Sequence, residues 1–129
     1  MAAVGRKDTA PEMVVRRLTR VMGYRYRLHV KDLPGSPDLV FSRLKKVIFV
    51  HGCFWHCHDC RYGQVKPATN AEFWAKKRTQ TQERDRRQQQ ALIDDGWQVL
   101  VVWECWTRQP ESLLIPELQR FLDLQNSPG

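Results

Sequence analysis

Apolar and polar positions recur with different periods along this chain, and each period predicts an element. Val14, Val15, Leu18, Val21 and Met22 recur at helical spacing, with Arg16, Arg17 and Arg20 on the other side. Thr9-Ala10-Pro11-Glu12 before them fits a capping box, and Gly23 ends the helix. Tyr24 to His29 alternate with a period of two, which predicts a half-exposed edge strand. Two prolines around Gly35 mark a turn over Asp32 to Pro37. From Pro37 to Phe41 a short strand carries Asp38 near its start. Ser42 to Lys46 form a polar turn, and Lys46 to Val50 form a second, central strand, so that the two make a hairpin. Arg61 to Asn70 lack a period. Ala71 to Asp95 read as one long helix, apolar at Phe73, Trp74, Ala91, Leu92 and Ile93 and almost wholly polar between. Trp97 to Trp103 make the most apolar strand, and Glu111 to Gln125 a last helix with Leu113, Leu114, Leu118, Phe121 and Leu122 on one face. A strand that returns after a long helix makes a parallel crossover, so this order predicts an α/β fold with a mixed sheet flanked by helices.

A chain of 129 residues builds one domain, small enough to profit from a structural metal. Neither a membrane-length apolar run nor a secretory leader is present in the sequence, and the expected setting is cytoplasmic, where clustered cysteines favour metal over disulfides. The formal charge of +7 suits a polyanionic partner.

Chemistry concentrates in Val47 to Cys60, VIFVHGCFWHCHDC, which holds His51, His56 and His58 together with Cys53, Cys57 and Cys60. Such density just past a strand is a zinc signal. Cys53, Cys57, His58 and Cys60, with Cys105 at the end of the last strand, are five candidates for four tetrahedral places, so one is spare. Aspartate is disfavoured in strands, and Asp38 reads either as a turn cap or as an oxygen ligand for Mg²⁺. Glu12 is explained by the capping box. His51 and His56 remain for proton transfer near a metal-bound water. Phe54, Trp55 and Trp74 are aromatics among polar residues, suited to a core or to wedging between base pairs.

Several strings carry a resemblance beyond pattern. Asp-Thr-x-Pro-Glu (8–12), Leu-Pro-Gly-x-Pro-Asp (33–38), Val-Ile-Phe-x-His-Gly-Cys-Phe-Trp-His (47–56), Pro-Ala-Thr-Asn-x-Glu-Phe-Trp (67–74), Glu-Arg-Asp (83–85) and Gly-Trp-x-Val-Leu-x-Val-Trp-Glu-Cys (96–105) occur in order. Together they resemble the very-short-patch (Vsr) mismatch repair endonucleases. The resemblance implies a single endonuclease domain over 1–129 with a short N-terminal arm over 1–8, and a restriction-endonuclease-like core with a structural zinc. It implies a DNA nicking enzyme that cuts 5′ of the mismatched thymine at a T·G mismatch left by deamination of 5-methylcytosine. Mg²⁺ serves the chemistry, held by Asp38 and the backbone carbonyl of Val50. His56 activates the attacking water, Glu12 and His51 are further active-site residues, and Asp85 orients His56. The implied zinc set is Cys53, His58, Cys60 and Cys105, with Cys57 spare, and Phe54, Trp55 and Trp74 insert beside the mismatch.

The implied partner is mismatched double-stranded DNA, with MutL-type repair proteins and a companion cytosine methyltransferase. A nucleoid-associated cytoplasmic monomer follows, since a single-strand cut needs no symmetric dimer. This chain departs from the family in its arm of about seven residues before the Asp-Thr-x-Pro-Glu string, in Cys57 where a histidine is common, and in Thr81 where asparagine is frequent. The acidic-x-Lys of most restriction-type nucleases is absent, Phe49-Val50-His51 standing there. Two other classes of function compete: a zinc-stabilised DNA-binding module without cleavage, and a nuclease with a different target.

Overall fold

Four strands in the order β1-β2-β3-β4 form the sheet: β1 (Arg27–Leu28), β2 (Leu39–Phe41), β3 (Lys46–His51) and β4 (Gln98–Trp103). The computed structural model describes residues 9–53, 58, 60 and 69–123. β1 pairs antiparallel with β2, β2 antiparallel with β3, and β3 parallel with β4. The sheet is therefore mixed, and the long helix α2 (Ala71–Asp94) makes the crossover between its parallel strands.

Helix α1 (Ala10–Val21) begins where its cap predicts: the Thr9 hydroxyl accepts from the Glu12 N–H at 3.3 Å. The Glu12 carboxylate is itself buried and directed at Arg16 and His29. The apolar stripe of α1 is narrower than its sequence suggests. Val21 is 78% exposed, while Thr19 is fully buried with its hydroxyl donating to the Arg16 carbonyl at 3.0 Å.

Two clusters cover the two faces of the sheet. Val15, Leu39, Phe41, Ile48, Val102, Leu114, Leu118 and Leu122 form the larger, between α1 and the C-terminal helices. Val40, Val47, Phe49 and Leu92 form the smaller, beneath the end of α2. Strands β2 and β3 are buried on both faces, whereas β4, apolar as it is, lies at the sheet edge with Val102 its one buried residue.

The last helix differs from its expected single span. After β4 come a one-turn helix α3 (Glu104–Thr107), a wide π-type turn over Pro110–Leu114, and α4 (Ile115–Leu122). Pro110 and Pro116 lack the N–H a continuous helix would use, which explains the break. Leu113 is exposed, and Leu114, Leu118 and Leu122 face the core. Lys46, at the start of β3, is buried, and its ammonium donates to the Phe121 and Leu122 carbonyls at 2.7 and 3.3 Å. It thereby caps the C-terminus of α4 from below, where a cation complements the helix dipole.

Candidate active site and metal centre

All four strands deliver chemistry to one end of the sheet. In an antiparallel pair the end of one strand lies beside the start of the next, so Arg27–Leu28 running against Leu39–Val40 brings His29 to Asp38. The His29 N–H donates to the Asp38 carbonyl at 3.2 Å. By the same logic the start of β2 meets the end of β3, and the Val50 N–H donates to Asp38 Oδ2 at 2.7 Å. β3 and β4 run parallel with His51 opposite Trp103, so Cys53 and Cys105, which follow those residues, emerge together.

Glu12, His29 and Asp38 form the first group, their ligand atoms all within 4.8 Å of one another. His29 Nε2 is 2.9 Å from Glu12 Oε2, His29 Nδ1 is 3.7 Å from Asp38 Oδ1, and Arg16 pairs with the same Glu12 oxygen. Burial pushes the Asp38 carboxyl up to about 6; the Val50 hydrogen bond opposes that rise, the Glu12 charge adds to it, and His29 and Arg16 counter it. Two carboxylates drawn out of water side by side are expensive when both are ionised, and a cation relieves that. His29 belongs to this group although the alternation of Tyr24 to His29 marked it only as an edge-strand residue. The signal that could have found it was register, which the strand pattern does not contain.

On the other face of β3, His51 is buried at the strand end with its Nδ1 3.9 Å from Asp85 Oδ2. Its ring meets Trp103 edge-on at 5.5 Å and Phe49 at 5.6 Å. Asp85 comes from the polar middle of α2, whose half-buried positions Trp74, Arg78, Thr81, Asp85, Gln88 and Gln89 follow helical spacing. That middle packs on the end of the sheet with polar side chains. His56, expected as Asp85's partner, lies outside the described residues.

Cys53, His58, Cys60 and Cys105 form the second group, again with ligand atoms within 4.8 Å of one another. None of the three cysteines forms a disulfide among the described residues. His58 Nδ1 is 3.6 Å from Cys105 Sγ, and the His58 N–H donates to the Cys53 carbonyl at 3.0 Å. The His58 ring stacks on Trp103 with centroids 4.1 Å apart. Burial pushes the Cys53 thiol up to about 12 and raises Cys105 as well. Three sulfurs and one imidazole are the donor set that a closed, four-coordinate zinc site uses. Cys57 lies outside the described residues.

Of the aromatics, Trp74 is half-buried near the start of α2, edge-on to an exposed Phe73 at 5.2 Å. Phe54 and Trp55 lie outside the described residues. No helix among the described residues is long and apolar enough to cross a membrane.

Comparison with known proteins finds relatives of this chain. The model of the family described as DNA mismatch endonuclease Vsr matches residues 1–62. A type II nicking enzyme of Xanthomonas oryzae, V.XorIIP, is 50% identical over 81% of this chain and 76% of its own length. The DNA mismatch endonuclease Vsr of Escherichia coli is 45% identical over 95% of this chain and 78% of its own. A type II nicking enzyme of Neisseria meningitidis, V.NmeAIP, is 43% identical over 81% and 74%.

Proposed function

The chain belongs to the Vsr family of DNA mismatch endonucleases, and from that premise we propose that it nicks duplex DNA 5′ of the mismatched thymine at a T·G mismatch, by Mg²⁺-dependent hydrolysis, in very-short-patch repair. One observation carries the reading: Asp38 is held at the sheet end, with burial raising its carboxyl to about 6, beside a second buried carboxylate. Neither a turn cap nor a capping box needs that arrangement. A restriction-endonuclease-like core is the fold this reading implies for the mixed sheet.

Asp38 and the Val50 carbonyl are the groups that would hold Mg²⁺, and hard oxygen donors fit it. When bound there, the ion supplies charge neutralisation at the phosphate and a more acidic water. The Val50 N–H fixes Oδ2 of Asp38, which leaves Oδ1 as the oxygen that would hold the ion. His56 takes the proton of the attacking water at a ring nitrogen, and Glu12 and His51 line the same end of the sheet. Asp85 supports this imidazole chemistry from α2. Cys53, His58, Cys60 and Cys105 would hold zinc, whose contribution is to tie the segment carrying Phe54, Trp55 and His56 to the ends of β3 and β4. Phe54, Trp55 and Trp74 wedge beside the mismatch, where a wobble pair unstacks more readily than a Watson–Crick pair. A MutL-type protein and a companion cytosine methyltransferase are the partners of such a repair step.

Relatives named as type II nicking enzymes favour a second reading, in which the same chemistry serves another target site. A panel of end-labelled duplexes differing only at the mismatch, with and without Mg²⁺, tests both. The expected result is a Mg²⁺-dependent nick 5′ of the thymine in the T·G duplex, slowed about 10²- to 10⁴-fold by His56→Ala. Equal nicking by the parent and by Asp38→Ala or His56→Ala overturns the catalytic assignment. Binding without any nick returns the protein to a zinc-stabilised DNA-binding module.

A further inference from the structure

The imidazole between Glu12 and Asp38 faces two carboxylates with two different nitrogens. His29 Nε2 is 2.9 Å from Glu12 Oε2, a hydrogen-bond distance, and a carboxylate oxygen only accepts. Arg16 Nη2 also lies 3.3 Å from Nε2, and the shorter contact, to Glu12, suits the tautomer that carries its proton on Nε2. Nδ1 then presents a lone pair toward Asp38 Oδ1 at 3.7 Å, too long for a hydrogen bond and short enough for both atoms to reach one ion at about 2.1 Å each. A ring nitrogen whose partner N–H is held by a carboxylate is the arrangement of a metal-binding histidine with its supporting acid.

The backbone sets the position of the ring. His29 has φ +50, in the left-handed region where histidine, like asparagine and aspartate, is enriched, and its N–H donates to the Asp38 carbonyl. That backbone bond keeps the imidazole beside Asp38.

We infer that His29 is a nitrogen ligand of the divalent cation held by Asp38, with Glu12 as the outer carboxylate that fixes its ring, so that the site takes Mn²⁺ more tightly than Mg²⁺. The inference rests on the reading that Asp38 holds a catalytic cation. An imidazole in an otherwise oxygen donor set strengthens binding of first-row transition ions, whereas Mg²⁺ keeps to oxygen.

Pulsed electron paramagnetic resonance of Mn²⁺ added to the zinc-loaded protein tests it without reference to nicking. The expected spectrum carries ¹⁴N coupling that His29→Asn removes and that His51→Gln and His56→Gln leave in place. Asparagine tolerates the left-handed backbone, so this variant keeps the fold. Its Mn²⁺ dissociation constant should rise about tenfold or more, with Mg²⁺ affinity changed less than about threefold. Glu12→Gln should keep the coupling and weaken Mn²⁺ about tenfold, as loss of a supporting carboxylate does. Coupling that persists in folded His29→Asn, or is absent from the Mn²⁺-bound parent, overturns the inference and leaves Asp38 as a cation ligand. If Asp38→Asn binds Mn²⁺ as tightly as the parent, the underlying reading fails as well.

Discussion

Asp38 is the residue at which burial and charge conflict most clearly. Its carboxyl titrates near 6 in the fold against 3.8 for the free side chain, with desolvation as the main cause. The folded protein thus takes up a proton as pH falls through about 6, while the unfolded chain waits until about 4. Stability is therefore gained as pH falls across that window, and above it the ionised carboxylate costs the fold up to about 3 kcal/mol. Asp38→Asn is expected to raise the melting temperature at pH 8 in Mg²⁺-free buffer, with the gain shrinking toward pH 4. Thermal melts at several pH values check this, and a gain that grows toward pH 4 contradicts the sign. Glu12 carries a related lesson: Thr9 caps its N–H as the string predicts, while its side chain pairs with Arg16 and His29.

At the scale of elements, the turn before β2 aims Asp38. Gly35 has φ +77, and a Cβ there would lie 2.9 Å from Gln88 Oε1 and 3.0 Å from the Phe49 ring. The turn is thus pressed against both β3 and α2, and only glycine meets the conformation and the space together. Gly35→Ala is expected to destabilise the protein by about 1–3 kcal/mol and to weaken nicking beyond that loss, because Asp38 moves with the turn. Urea unfolding beside a nicking assay at a temperature where the variant is fully folded separates the two effects. Full nicking activity there would free Asp38 from dependence on the turn. Lys46 performs a comparable service at the opposite end of β3. Burial lowers its pKa, Asp123 opposes that shift, and the two carbonyls at the end of α4 use its protons.

Across the whole molecule, the second metal group joins the ends of β3 and β4, which are far apart in sequence and adjacent in the sheet. Cys105→Ser is expected to lose the tightly held zinc, to destabilise the protein by at least about 3 kcal/mol and to abolish nicking, while Cys57→Ser keeps all three. Metal analysis together with melting checks it, and zinc lost only from Cys57→Ser reverses the ligand choice. The first two helices, the hairpin, the parallel return and the density of thiols and imidazoles were legible in the chain, because hydrophobic period, turn residues and ligand spacing are local properties; the edge strand over Tyr24 to His29 shortens to Arg27–Leu28. Family strings such as His-Gly-Cys-Phe-Trp-His pointed to the Vsr family, to which the chain belongs. Local pattern could not separate Val21 and Leu113 from their buried neighbours, since which edge of an apolar stripe meets solvent depends on what packs against it. It could not foresee the breaks around Pro110 and Pro116, or a lysine buried beneath a helix end. Nor could it bring His29 into the site, because strand register is set by pairing at a distance: the sequence by itself determined which groups are present, and the tertiary structure decided which of them meet.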